Sequence, residues 1–293
     1  MHRDRPGRLS VIMEQINEKL RIAILDLNAG EPNEGMRCIK ALVEDFLKTP
    51  GISGSYEVFE LRIMNELPAI GDFDIFISSG GPGSPKPAGT KWEKRFFRFL
   101  DGIFDHNLLE KKKKHLFLIC HSFQLACLHW KLGKISKRKS PAFGIMPVHK
   151  TKKGLKESLF EGLGDPFYAV DSREYQLIEP KKKRIRRMGA SIVSKEKIRP
   201  HVPLKRAVMG IRFSREIFGV QFHPEADSEG MSMYFRQPEK RDHIIKHHGK
   251  RKYREMLEHL DDADKILLTN STIIPGFLRH ASDALNPINP LAV

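Results

Sequence analysis

Cysteine is scarce in this chain: Cys38, Cys120 and Cys127 are the three in 293 residues. An odd, widely spaced set excludes a disulfide scaffold, and the lack of any CxxC pair excludes a zinc knuckle. Long hydrophobic runs are missing too, so no segment reads as a membrane span, which needs about 20 apolar residues. The N-terminal segment MHRDRPGRLSVIMEQINEKL is basic but has no unbroken apolar run and no small-residue cleavage site. Residues 1–20 therefore read as a leader into the fold and not as a signal peptide. Neither GxGxxG nor GxxxxGK[ST] occurs, which excludes the two common nucleotide-phosphate loops. Together these absences fit a cytoplasmic protein with no membrane, metal or cofactor expected.

Acidic charge is also under-represented. Lysine and arginine total 51 against 36 aspartates and glutamates, a formal net charge of +15. The excess falls in runs at Lys111 to Lys114, Lys134–Lys139, Lys181 to Arg187 and Lys246 to Arg254. No aromatic residues interleave with them in a stacking pattern, so solvated loops and helix faces are expected and specific nucleic-acid binding is not. His243, His247 and His248 include an i, i+4 pair, but no third ligand has matching spacing, and an exposed basic helix is the better reading. Met231 and Met233 read as packing residues.

With 40% hydrophobic residues the chain can bury a core. Residues 21–28 form a buried strand by length and flanks. Met36, Ile39, Leu42, Val43, Phe46 and Leu47 recur at helical spacing up to Pro50–Gly51. Strands follow at 55–61 and 74–78, a helix at 91–104, a strand at 115–120 and a helix at 122–132. This alternation predicts an α/β fold, an open and mostly parallel sheet with flanking helices. Further strands are expected at 143–151, 167–178, 207–213 and 217–222. From about Met231 the periodicity turns helical and polar. The expected division is a leader at 1–20, one α/β domain at 21–230, and a helical C-terminal extension at 231–293 with a loose tail.

Three separated motifs carry chemistry. In LICHSFQ, Leu118–Gln124, a cysteine ends an apolar strand just where a helix begins. Such a turn lifts a nucleophile over a sheet edge, and the helix N-terminus favours thiolate and can hold an oxyanion. Taken alone, Cys120 is equally readable as a core cysteine. In FGVQFHPE, Phe218–Glu225, a strand ends in His223 with Glu225 two residues on, a base and an orienting acceptor for a thiol. SSGGPGSP, Ser78–Pro85, follows the third strand, and its glycines allow close backbone approach to a ligand.

These motifs, in this order, resemble those of class I glutamine amidotransferases. The Ser78–Pro85 loop is similar to that family's SGGPGSP loop. Cys120 and Gln124 match the cysteine and glutamine of its GxCxGxQ elbow, and Gly219–Glu225 matches its closing motif. FGIMPV, Phe143–Val148, is similar to a segment of guanylate-synthetase-like members. The agreement covers roughly residues 21–226 and implies a flavodoxin-like fold with a Cys120, His223, Glu225 triad. Cys120 would attack the side-chain carboxamide of glutamine and release ammonia through a glutamyl thioester. The resemblance implies an oxyanion hole from the backbone N–H groups of Gly81 and His121. It implies a substrate seat made by Gly81, Gly83, Gln124, Ser172 and Arg173.

The elbow departs from the family pattern: Leu118 and Ser122 stand where glycines are usual, and Phe123 replaces a polar residue. A reshaped pocket or a changed substrate is expected from that. No synthetase domain follows in this sequence, so an acceptor subunit for the ammonia would be a separate chain. Competing readings are a hydrolase of γ-glutamyl amides or peptides and a non-catalytic scaffold. A protein that meets nucleic acid through its basic runs is the fourth.

Overall fold

The strands β1 (Leu20–Asp26), β3 (Ile75–Ser78) and β4 (His115–Ile119) are short apolar runs covered on both faces. Side chains alternate along a strand, so Ile22, Ile24, Ile77 and Phe117 face one way while Ala23, Leu25, Phe76 and Leu118 face the other. Parallel strands need both faces covered. Helix α1 (Glu34–Leu47) lays Met36, Ile39, Val43 and Phe46 on the first face. Helices α2 (Lys91–Leu109) and α3 (His121–His129) cover the second with Phe96, Leu100, Phe123 and Ala126. Helix α2 opens in a capping box formed by Thr90 and Glu93, which satisfies backbone donors that would otherwise be orphaned.

The computed structural model describes residues 19–286 except 32, 202, 259, 261, 263 and 264, and except the side chains of residues 240, 243, 247, 248 and 252. Residues 1–18 of the expected leader, the tail at 287–293 and the side chains of His243, His247 and His248 lie outside the described set.

Adding β2 (Gly54–Glu60) and β9 (Ile217–Val220) gives the order β2-β1-β3-β4-β9, parallel throughout. Of the expected open, mostly parallel sheet, the parallel pairing is confined to these five strands. Strands β5 (Lys134–Lys150), β6 (Phe167–Ile178), β7 (Ser191–Glu196) and β8 (Val208–Arg212) are antiparallel and continue from β9 in the order β8-β6-β5-β7. Because β7 also pairs with β8, these four close on one another. The register of β5 on β6 shifts between Lys137 and Ala142, and such irregularities bend a strand enough for its far end, Val148–Lys150, to reach β7.

Two basic runs are not the solvated loops expected of them. Lys134–Lys139 lies on β5, and Lys114 is buried against Asp74, which also takes Arg21 and Lys112. Lys182–Arg187 forms α4, missed in the sequence because it presents only Ile185 to the core. Strand β7 was also unread.

Three helices follow: α5 (Ser228–Arg236), α6 (Pro238–Glu258, broken at Gly249 with φ 84°) and α7 (Leu267–Leu285). Phe235, Ile244 and Met256 form a cluster against Ile145 and Val170, with Met231 packed on it. Met233 is 47% exposed and does not pack as expected. Helix α7 shares the core of α1: Ile273, Ile274, Phe277 and Leu278 are buried there, and the Phe277 ring meets Phe117 edge-on at 5.1 Å.

Truncating Phe277 to alanine removes a fully enclosed ring, and denaturant titration should show a loss of about 3–5 kcal/mol. Burial lowers the His115 pKa from 6.5 to about 4, and its Nε2 finds no partner among the described residues. The unfolded chain then binds a proton that the folded one refuses, so stability falls as pH drops from 6.5 towards 4. The loss from this group approaches roughly 3 kcal/mol, at about 1.4 kcal/mol per unit. Unfolding followed across that window should show a flatter pH dependence in His115→Leu.

Candidate active site

Strand β4 passes directly into α3, and Cys120 is the residue at the turn, with φ 47° and ψ −96°. Few L-residues adopt positive φ, and such strain persists only where the surroundings impose it. The Cys120 N–H donates to Val220 O at 2.8 Å and its carbonyl accepts from Gln124 N at 3.0 Å. The Ser122 hydroxyl accepts the Ile119 N–H at 2.9 Å and lies 3.0 Å from the carbonyls of Ser78 and Ile119, joining the ends of β3 and β4. Leu118 sits in register with Gly219 of β9, where a Cβ would come within 3.2 Å of it. Phe123 is fully buried against Phe213. None of these three departures from the family elbow lines the cavity.

The Cys120 sulfur opens onto a cavity of about 950 Å³ shared with His223 and Glu225. Its Sγ is 3.5 Å from Gln221 Nε2, which donates to it, and 3.7 Å from the Ser172 carbonyl oxygen. The His223 N–H donates to Val170 O on β6 at 2.8 Å, which fixes the segment after β9. The ring Nδ1 lies 2.8 Å from Glu225 Oε1. With Nδ1–H donating to that carboxylate, Nε2 is the nitrogen left for the thiol. Burial disfavours the charged ring, but Glu225 and Cys120 outweigh it and hold His223 well above its ordinary pKa.

Glu225 is 2% exposed, and its Oε2 has no hydrogen-bond partner among the described residues. Two helices brace it. At the N-terminal turn of α1, Gly35 is close enough that a Cβ would lie 3.2 Å from Oε1, where the helix dipole favours an anion. From α7, Asn270 Nδ2 donates to the Glu225 carbonyl at 2.8 Å.

The glycine loop after β3 is held from outside. Ser79 Oγ accepts the Leu27 N–H at 2.9 Å, and Arg62 donates to Pro82 O at 2.6 Å while its guanidinium lies over Trp92. A Cβ on Gly81 would lie 2.4 Å from Leu27 O, so no other residue fits there. Gly83 has φ 90°, in the region that favours glycine. The N–H groups of Gly81 and His121 meet no acceptor among the described residues. Burial, with Arg62 adding to it, lowers the His121 pKa to about 4, so its ring is neutral near pH 7.

Gln124 lines the cavity, but its Nε2 is committed to Gln221 Oε1 at 2.8 Å and Tyr175 O at 3.0 Å. Ser172 is exposed on the cavity wall. Arg173 is buried beside it, with Nε on Asp171 at 2.8 Å and Nη2 3.5 Å from Glu196. Sequence reasoning missed Gly80, where a Cβ would lie 3.0 Å from His223 Cε1, and Gln221, which touches the sulfur. Both lie inside motifs already singled out, so period-2 alternation along β9 and the doubled glycine were the available signals. Asn270 gave no signal, because its contact depends on packing of α7. Among the described residues no group of three or more His, Cys, Asp or Glu side chains is placed to hold a metal. No helix there is long and apolar enough to cross a membrane.

The family model described as glutamine amidotransferase class-I matches residues 54–238. No curated protein matches the sequence. Among solved structures, a glutamine amidotransferase from Thermotoga maritima aligns with a TM-score of 0.64 at 16% identity, covering 90% of this chain and 98% of that one. A glutamine amido transferase from Methylobacillus flagellatus gives 0.57 at 14% identity, covering 91% and 94%. The glutaminase domain of Trypanosoma brucei CTPS, solved with bound acivicin, gives 0.56 at 12% identity, covering 93% and 97%. At these identities the likeness concerns the fold.

The three thiols differ sharply. Burial, reinforced by Asp227, pushes the Cys38 thiol up to about 12, and burial alone raises Cys127 well above its ordinary value. Only Cys120 faces the cavity. A short iodoacetamide pulse followed by peptide mapping should therefore label Cys120 first, with Cys38 and Cys127 reacting only on unfolding. Equal labelling of the three in the folded protein would contradict this.

Proposed function

The chain belongs to the glutamine amidotransferase class-I family, and on that premise we propose that it is a thiol hydrolase that releases ammonia from glutamine. The observation that carries the proposal is Cys120, set at a positive-φ turn on the wall of the cavity that also holds the His223–Glu225 pair at 2.8 Å. The Cys120 thiolate attacks the side-chain carbonyl carbon, and the oxyanion forms between the N–H groups of Gly81 and His121. The C–N bond then breaks, and the His223 imidazolium gives its proton to the departing nitrogen, which leaves as ammonia. A glutamyl thioester remains on Cys120. Water attacks it, His223 takes the water proton, and the C–S bond breaks to give glutamate and the free thiolate.

Glu225 orients His223 and stabilises its charged form. Gly83, Gln124, Ser172 and Arg173 are proposed to seat the glutamate part of the substrate. Tyr234, Glu239 and Ile244 also line the cavity, which supports a C-terminal extension that caps the site. Three unpaired cysteines fit a cytoplasmic setting. The ammonia would pass to an acceptor on a separate chain or be released.

A second reading is favoured by the volume. About 950 Å³ lies at the upper end of the range of about 300–1,000 Å³ for ligand pockets, which leaves room for a substituent on the scissile nitrogen. Hydrolysis of a γ-glutamyl amide would follow the same steps with an amine leaving in place of ammonia.

Steady-state ammonia release from glutamine, run beside amine release from a γ-glutamyl anilide, separates the two readings. For whichever substrate turns over, His223→Ala should lower kcat by about 10²–10⁴-fold, the usual loss on removing a general base. Glu225→Gln should lower it by less. A His223→Ala variant with near-normal rates would refute the assignment.

A further inference from the structure

The irregular stretch of β5 between Lys137 and Ala142 separates two cavities, and Ser140 lines both. The first is the candidate active site. The second, of about 220 Å³, is walled by Arg138, Lys139, Lys197, Arg199, Lys205 and Arg206, with Glu196 the one carboxylate among the described residues that line it. We propose that this second cavity is a binding site for a small organic phosphate.

The charge balance carries the proposal first. Oε1 of Glu196 meets Arg138 at 3.1 Å, Arg199 at 2.8 Å and Arg173 at 3.5 Å, so three guanidinium groups share one oxygen. Lys205 is paired outside the cavity with Glu179. Among the described residues the Arg206 Nε reaches only the backbone carbonyl of Glu196, at 2.7 Å. Lys139 and Lys197 have no ion pair among the described residues. The cavity therefore holds more positive charge than its own carboxylate balances. The crowding extends beyond the rim: burial lowers the Lys195 pKa, and Arg206 and Lys182 lower it further.

Geometry supplies the rest. Arg138 is 9% exposed and is fixed before any ligand arrives, by Gln176 Oε1 at 2.6 Å and Ser140 O at 3.2 Å. A pre-positioned arginine fork with flexible lysines beside it suits tetrahedral oxyanions. Ile198 and Leu204, 63% and 48% exposed, line the same cavity and offer an apolar flank. A purely inorganic ion has no use for such a flank, whereas the carbon body of a phosphate ester does. The volume is below the range of about 300–1,000 Å³ that encloses drug-sized ligands, so the fitting molecule is small. An extended polyanion such as nucleic acid would instead track the open surface and leave the cavity unused.

The site is linked to its neighbour. Arg173 lines the catalytic cavity and Glu196 lines the second one, and the two are 3.5 Å apart. An anion that draws Arg199 away from Glu196 leaves that carboxylate to Arg138 and Arg173.

Isothermal titration of the full chain with phenyl phosphate, pyrophosphate, phenyl sulfate and a short duplex DNA tests the proposal. Phenyl phosphate is expected to bind at one site more tightly than phenyl sulfate. The charge reversals Lys139→Glu and Lys197→Glu, both at exposed positions away from the catalytic cavity, should together weaken it at least about tenfold. Reversing Lys91 and Lys94 on α2 serves as the control and should leave it unchanged. Leu204→Ser should weaken phenyl phosphate but not pyrophosphate. Equal weakening by the α2 control, equal affinity for sulfate and phosphate, or tight binding of the duplex alone would each overturn the proposal. None of these outcomes depends on the hydrolase reading, since binding is measured without turnover.

Discussion

At residue 120 the backbone leaves a buried strand and enters a helix within one residue, at φ 47° and ψ −96°. That unfavourable geometry is tolerable because neighbouring groups hold the turn from three sides. The Cys120 amide is tied to Val220, Ser122 clamps the ends of β3 and β4, and Leu118 occupies the space that Gly219 leaves open. Parallel pairing of β3, β4 and β9 brings the glycine loop, the cysteine and the histidine segment to the same end of the sheet. Helices cover both faces of those strands, so three distant stretches of sequence are held in register by one core. The placement of the thiol is thus a property of the sheet, with the motif residues trimmed to fit it.

The position of Glu225 depends on a different part of the chain. Its carboxylate abuts the first turn of α1, and its carbonyl is held by Asn270 of α7. Helix α7 reaches that point because Ile273, Ile274 and Phe277 are buried with α1 against the same face of the sheet. Packing energy in the C-terminal helix and the geometry of the proposed orienting residue are therefore coupled. Loss of the helix would release the acid as well as the core, although it lies beyond the residues that the family model matches.

The parallel half of the fold was legible because its strands are apolar runs with turn residues at their ends, and because α1 and α2 repeat at 3.6. The antiparallel half was only partly legible. Strand β5 begins as a run of lysines, a composition that reads as solvent-exposed, and closure of β7 on β8 leaves no local trace. The proposed catalytic residues stood out because Cys120 directly follows the apolar strand β4, and His223 and Glu225 lie together just past β9. Gly80 and Gln221 were passed over beside them. Asn270 is invisible in the sequence because a single asparagine on a helix acquires its role only when that helix docks. The surroundings of the elbow substitutions were not legible either: Leu118 and Phe123 lie in the α2–α3 core, which the one-dimensional motif does not reveal.

The central claim is that Cys120 is a nucleophile activated by His223. Intact-protein mass spectrometry after exposure to a glutamine-derived electrophile, followed over time at several pH values, tests it most directly. One adduct per chain, mapped to Cys120, is expected, together with near-complete loss of adduct in Cys120→Ser. In His223→Ala the adduct should form much more slowly near pH 7 and recover at alkaline pH, where the thiol ionises unaided. Adducts spread over the three cysteines, or a rate in His223→Ala equal to the parent's across the pH range, would contradict it.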